Sequence, residues 1–256
     1  MRRRPSALRG YFWLLVGLLY LPIAVLFLFS INENATLAFP LRGLTLDWFI
    51  KLFATPALLK AVGNSLQVAI ISSFAATLLG AMVAVLVTRF EFRGKAALAG
   101  LAVMPLIVPY VVLGVAMLIL FKVIGVPLSL GTVAAAHTIV ALPYTALIIM
   151  ARLAGFEKGL EEAAMDLGAT YPGTLRLVVL PMAAPALLSA WVTAFTVSFD
   201  EFALALFLAG RDQTFPVYLY GQLRFSTTLP VLIATAVLLM VTTLSLILVT
   251  ERIRRR

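Results

Sequence analysis

The chain has no cysteine and a single histidine, His137, in 256 residues. Disulfides are excluded, and so is any zinc site built from Cys and His, which needs several such ligands at short spacing. Charge is also scarce. Only 12% of residues are Asp, Glu, Lys or Arg, about half the share carried by a soluble domain. Apolar residues fill the difference: 62% of the chain is hydrophobic and the mean hydropathy is +1.07. They come in runs of about 20, the length that crosses roughly 30 Å of hydrocarbon.

These proportions define an all-α, polytopic membrane protein. Six transmembrane helices are expected, at about 11–31, 63–88, 97–121, 131–151, 183–208 and 230–250. The net charge of +9 does not mark a nucleic-acid binder, because its distribution follows topology. With the N-terminus inside, fourteen Lys and Arg fall on the cytoplasmic side, among them Arg2, Arg3, Arg4, Arg9, Arg89, Arg252, Arg254, Arg255 and Arg256. Six fall outside: Arg42, Lys51, Lys60, Lys122, Arg211 and Arg224. The positive-inside rule then puts both termini in the cytoplasm. The first apolar run is longer than a signal-peptide core and no small-x-small cleavage site follows it, so it is expected to remain as a span.

Catalytic signatures are missing as well. Gly94-Lys95 lacks the upstream Gly and the following Ser/Thr of a nucleotide-binding loop, so ATP hydrolysis is not expected in this chain. There is no Gly-x-Ser-Gly and no His-Glu-x-x-His, which argues against an intramembrane hydrolase. No internal repeat or low-complexity linker is present. Between the first two spans, Leu46 to Phe53 reads either as a short interfacial helix with Trp48 at headgroup depth or as a plain loop. The second span carries Ser72, Ala76, Gly80 and Ala84 at spacing four, a small-residue face along which helices pack closely. Pro105, Pro109 and Pro143 predict kinks.

One polar block stands out, Glu161 to Pro181, between the fourth and fifth apolar runs. It cannot lie in hydrocarbon, and an idle loop need not be so long. Glu161 to Leu167 predicts a short helix, Gly168 its left-handed terminator, and Tyr171-Pro172 the start of a second short helix along the membrane. Glu162 and Asp166 share one face, while Ala163, Ala164 and Leu167 offer a small apolar surface. Such a surface fits a groove on a soluble partner. A passive channel would have no use for it.

Glu162-Ala163-Ala164, three residues, Gly168, nine residues, then Val178-Val179-Leu180-Pro181 resembles the EAA loop of ABC-importer permeases, with Val178 where the pattern has Ile. Asn64-Ser65-Leu66, Met104-Pro105 and Val108-Pro109 resemble the same family, and the likeness covers essentially the whole chain. It looks closest to the second, shorter membrane subunit of spermidine/putrescine-type permeases, supported by Ser198-Phe199-Asp200-Glu201 and Arg93-Gly94-Lys95. The resemblance implies a type I ABC transporter transmembrane domain at 62–250, preceded by a tail, first helix and external loop at 1–61 and followed by a basic tail at 251–256. It also implies a bacterial inner-membrane location. The partners it implies are a second permease subunit, two copies of a nucleotide-binding ATPase, and a periplasmic solute-binding protein, within membrane lipid. ATP and Mg would sit on the ATPase, with no cofactor on this chain. Glu161, Glu162, Ala163, Ala164, Asp166, Gly168, Leu180 and Pro181 would form the coupling loop. Related permeases carry ferric iron, thiamine, phosphonates, sulfate or amino-acid-like solutes.

A candidate substrate path lies in the fifth span. Ser189, Thr193, Thr196 and Asp200 follow spacings of four, three and four and predict one polar stripe, with Trp191, Phe195 and Phe202 opposite. Intramembrane carboxylates are costly and point to function. Asp200, with Glu201, would attract a multiply charged cation such as a polyamine. Alternatively Asp200 pairs with His137 or a partner's base as an interface lock, and Glu201 reaches the outer interface. His137 itself reads as a hydrogen-bonded packing residue or as a proton carrier.

Overall fold

Long apolar runs without internal breaks produce the longest helices of the computed structural model, which describes residues 6–34 and 38–254. Arg2, Arg3, Arg4, Arg255 and Arg256, counted above for topology, lie outside the described residues. Helix α1 covers Ser6–Ser30, α2 Asp47–Phe53 and α3 Pro56–Arg89. Pro56 opens α3 because proline's fixed φ and missing N–H suit a first helical turn. The expected start near 63 was therefore one to two turns late, and Asn64-Ser65 lies inside the helix.

The third apolar run is not one helix. It forms α4 (Lys95–Val103), a 3-10 turn at Met104–Leu106 and α5 (Tyr110–Val123), whose axes bend by 106°. Pro105 and Pro109 remove two backbone donors one turn apart, and Pro109 sits at ψ 130°, outside the helical range. Helix α6 (Leu130–Ala154) carries Pro143 without a break. After α7 (Lys158–Asp166), the short α8 (Tyr171–Thr174) leads through a π-helical stretch, Leu175–Val179, into α9 (Leu180–Phe199). Helices α10 (Ala203–Leu208), α11 (Phe215–Gln222) and α12 (Leu229–Arg254) complete the chain.

Among the described residues, four helical segments are long and apolar enough to cross a membrane: Leu8–Ser30, Pro56–Arg89, Leu130–Ala154 and Tyr171–Phe199. The bent α4–α5 pair makes a fifth, and the apolar part of α12, Leu229–Ser245, is shorter. The expected fifth span, 183–208, is corrected at both ends. It begins at Tyr171 and stops at Phe199.

The chain divides into two compact units, one of residues up to Leu59 with Leu219–Leu244, the other of Lys60–Tyr218 with the residues from Ser245. In the first, Phe29, Ile233 and Val237 form a small core with Val25 and Leu41 beside it. Trp48 is buried there rather than at headgroup depth, because its indole N–H donates to the Asn32 carbonyl at 2.7 Å. The side chains of α1 from Tyr11 to Tyr20 are largely exposed, as lipid-facing residues are.

In the second unit α6 packs along α9, and α10 packs on α5. Ser72, Ala76, Gly80 and Ala84 are all buried. Ala76 meets Ala141 and Ala194 in an all-alanine contact, and the Thr145 hydroxyl donates to the Ala76 carbonyl at 2.7 Å. A Cβ on Gly80 would run into the Thr145 side chain and lie 2.9 Å from the Ala146 amide nitrogen. Gly80→Val should therefore destabilise the α3–α6 contact by about 1–3 kcal/mol, the usual cost of overpacking. A lowered thermal midpoint of the detergent-purified protein would register it; an unchanged midpoint would show that the two helices part easily.

Candidate coupling loop and transport path

The polar block takes its shape from how α7 ends. Gly168 adopts φ +90°, a conformation closed to most side chains. Its N–H bonds the Met165 carbonyl at 2.9 Å, and the Ala169 N–H reaches back to Ala164 at 3.0 Å. This pair of bonds is a Schellman termination, which satisfies the last carbonyls of the helix and reverses the chain. Thr170 then caps α8, its hydroxyl accepting from the Gly173 N–H at 3.4 Å.

The second arm differs from expectation. It is not a separate short helix along the membrane but the first turns of a continuous 29-residue helix, Tyr171–Phe199. Pro181 cannot donate to the carbonyl four residues back. The backbone widens just before it, with the Leu180 N–H bonding Leu175, five residues back. Leu180 and Pro181 therefore sit within a rigid rod that starts at the loop.

The loop presents a mixed surface. Glu162, Ala163, Met165, Asp166 and Leu167 are exposed, Leu167 by 90%, and Ala164 is half-buried. Glu161 instead points inward and pairs with Arg89 at the end of α3, Nε to Oε1 2.7 Å. Nothing in local spacing announces that partner.

At the far end of α9 the candidate path residues separate into two groups. Ser189, Thr193 and Thr196 are half-buried, and each hydroxyl donates to the carbonyl four residues back, at 2.9, 2.8 and 2.9 Å. Their oxygen lone pairs stay free to accept. Asp200 follows the last helical residue and is exposed. Trp191, Phe195 and Phe199 line up on α9 with ring centroids 6.1 and 5.9 Å apart. Phe199 takes the place expected for Phe202, which belongs to the next segment and packs against the core of the second unit.

Glu201 and His137 belong to the interior. Glu201 Oε2 accepts from the Leu204 and Ala205 N–H groups at 2.9 and 3.3 Å and faces His137 Nε2 at 3.2 Å. His137 Nδ1 lies 2.8 Å from Ser198 Oγ, which lies 2.8 Å from Ser72 Oγ. Two expectations are corrected here. Glu201, not Asp200, pairs with His137, and Glu201 does not reach the outer interface. The helix ends at Phe199, so Glu201 leaves the helical register and turns onto the start of α10, where free N–H groups favour a carboxylate. Ser72 and Ser198 complete this network although sequence reasoning valued them only as a small residue and as part of a motif.

Several apolar helices long enough to cross a membrane, with an exposed loop continued into a span bearing a polar stripe, suit the class of multi-pass membrane transport subunits. The model of the binding-protein-dependent transport system inner membrane component family matches residues 76–256, and the chain belongs to that family. It is thus an integral multi-pass membrane protein and the permease subunit of an ABC importer. It is 32% identical to the spermidine/putrescine transport system permease protein PotC of Haemophilus influenzae, over 96% of each chain. It is 36% identical to the putrescine transport system permease protein PotI of Escherichia coli, over 80% of this chain and 76% of that one. Among solved structures, a bacterial ABC transporter that imports the acidic polysaccharide alginate has the same fold. Its TM-score is 0.76 at 15% identity, with 98% of this chain and 94% of that one covered.

Proposed function

We propose that this chain is the second permease of a polyamine importer, taking up spermidine or putrescine. Likeness at about a third identity to permeases of polyamine systems, over most of the chain, carries this reading. Asp200 supports it: an exposed carboxylate at the end of a hydroxyl stripe suits a cation whose several charges must leave water. In this reading Ser189, Thr193, Thr196 and Asp200 face the solute, while His137 and Glu201 hold the break between α9 and α10 in place.

The partners are a distinct second permease, two nucleotide-binding ATPase subunits carrying ATP and Mg, and a periplasmic solute-binding protein. This chain does no hydrolysis. Glu162, Ala163, Ala164, Asp166 and Leu167 dock in a groove of the ATPase. Both termini are cytoplasmic, with the importer domain at 62–250 between an N-terminal segment and a basic tail.

The test is uptake of labelled spermidine and putrescine by cells making the complete cognate system, wild type beside Asp200→Asn. Saturable uptake is expected, with affinity lowered about tenfold by Asp200→Asn, equivalent to about 1.4 kcal/mol. Because the chain has no cysteine, Ser189→Cys and Thr193→Cys each place one thiol in it. Spermidine should slow their modification by a thiol reagent. An assembled complex with active ATPase and no polyamine uptake would move the substrate to another class, such as ferric iron, thiamine or a phosphonate.

A further inference from the structure

Motion of the loop reaches two helices through the chain itself. Helix α6 enters α7 through a few residues at Gly155, and α7 leads through Gly168 into the rod Tyr171–Phe199. Helix α3 has no such connection, since its end at Arg89 is separated from α7 in sequence by α4, α5 and α6. Yet α3 carries the buried small-residue face against α6 and places Ser72 in the network with Ser198, His137 and Glu201. Any rearrangement of the bundle driven from the loop has to move it too.

The contact between α3 and α7 is a desolvated ion pair. Arg89 stands in the last turn of α3, where a cation is favoured by the helix dipole and could remain in water. Its side chain is only 5% exposed, and that of Glu161 10%. Burying two charges is costly and is repaid only by close pairing. The 2.7 Å approach of Nε to Oε1 supplies the Coulombic part of that pairing, without an aligned hydrogen bond. The acids that α7 turns outward, Glu162 and Asp166, show that the helix had exposed positions available for Glu161's charge.

The surroundings confirm a joint rather than a filled core. Phe90 meets Tyr171 edge-on, ring centroids 5.3 Å apart. Arg89 Nε and Nη2, Glu161 Oε1, Tyr171 Oη and Thr174 Oγ1 are all buried with no aligned hydrogen-bond partner among the described residues. The guanidinium keeps Glu161 as its charge partner while two of its buried nitrogens stay without hydrogen bonds. A planar fork with five N–H groups can exchange acceptors without losing its charge partner.

We infer that Arg89 is a positioning residue for transport: its ion pair with Glu161 carries movement of the coupling helix to α3. The inference rests on the coupling reading of the loop given above. The complete importer, reconstituted in proteoliposomes with its binding protein, tests it through solute taken up per ATP hydrolysed, measured beside the amount of assembled complex. The variants are Arg89→Ala, Arg89→Glu, Glu161→Arg, and the exchange Arg89→Glu/Glu161→Arg.

Both single reversals and Arg89→Ala should lower the uptake-to-ATP ratio about tenfold, within the range of known coupling energies. The exchange should recover it to within about threefold of wild type. A merely structural role would change the amount of complex and leave the ratio alone. Arg89→Ala with a wild-type ratio would overturn the inference. So would an exchange that couples, or assembles, no better than the single reversals. Failure of the wild type to show ATPase stimulated by binding protein is a separate result, and removes the coupling reading itself.

Discussion

Glu201→Ala is expected to cost the permease more stability than any other single truncation considered for this protein. The Glu201 side chain is 3% exposed, one carboxylate oxygen serves two backbone donors at the start of α10, and His137 faces that same oxygen. Truncation leaves the two N–H groups without their cap, worth about 1 kcal/mol. It also removes the carboxylate that His137 Nε2 faces at 3.2 Å and leaves that buried polar nitrogen beside empty space, a further cost of about 1–3 kcal/mol. For a chain of this size, such a loss lowers the melting temperature by about 10 °C. Glu201→Gln keeps an oxygen for the N–H groups and should lose less than half as much. Thermal unfolding of the purified complex in detergent measures both. Midpoints of wild type and Glu201→Ala within about 2 °C would mean that the break between α9 and α10 needs no carboxylate. The two adjacent acids thus take different parts: Asp200→Asn should change affinity and spare stability, and Glu201→Ala the reverse.

That division was not legible in the sequence. Helical spacing joins Ser189, Thr193 and Thr196, and the structure keeps all three half-buried on α9. Extrapolating the spacing past Phe199 placed Asp200 and Glu201 on a helix that had already ended. The capping interaction that ends it depends on Glu201 folding back onto residues three and four positions ahead, and the His137 and Ser72 contacts span 61 and 126 residues. No local pattern encodes contacts at such separations. The same applies to Arg89 and Glu161, and to Trp48, whose amphiphilic neighbours pointed to the membrane surface while Asn32 offered its indole a buried acceptor. What was legible had short-range causes. Unbroken apolar runs gave α1, α3 and α6 to within a few residues, except where Pro56 began α3 early. Two prolines four residues apart, read as kinks, in fact divide the third run into two helices.

Gly168→Pro is expected to abolish uptake, because backbone geometry at this position demands a residue that tolerates positive φ. Space is not the constraint, since a Cβ there would meet nothing within 4 Å. The constraints are the φ of +90° and the N–H that bonds the Met165 carbonyl. Proline, fixed near φ −65°, meets neither condition. Alanine retains the N–H and should cost about 1–2 kcal/mol for its left-handed backbone; asparagine, which tolerates that region, should cost less. A graded series follows, with uptake falling in the order glycine, asparagine, alanine, proline. Its cause is the direction of the chain. Without the reversal at Gly168, the exposed Leu167 and the face bearing Glu162 and Asp166 no longer stand in fixed relation to the rod that begins at Tyr171. Movement imposed on α7 then has no rigid path into α9. Uptake by cells making each variant, with the assembled complex quantified in parallel, reads the series. Proline at wild-type uptake would show that α7 and α9 do not move as one body, and that the loop serves assembly rather than transmission.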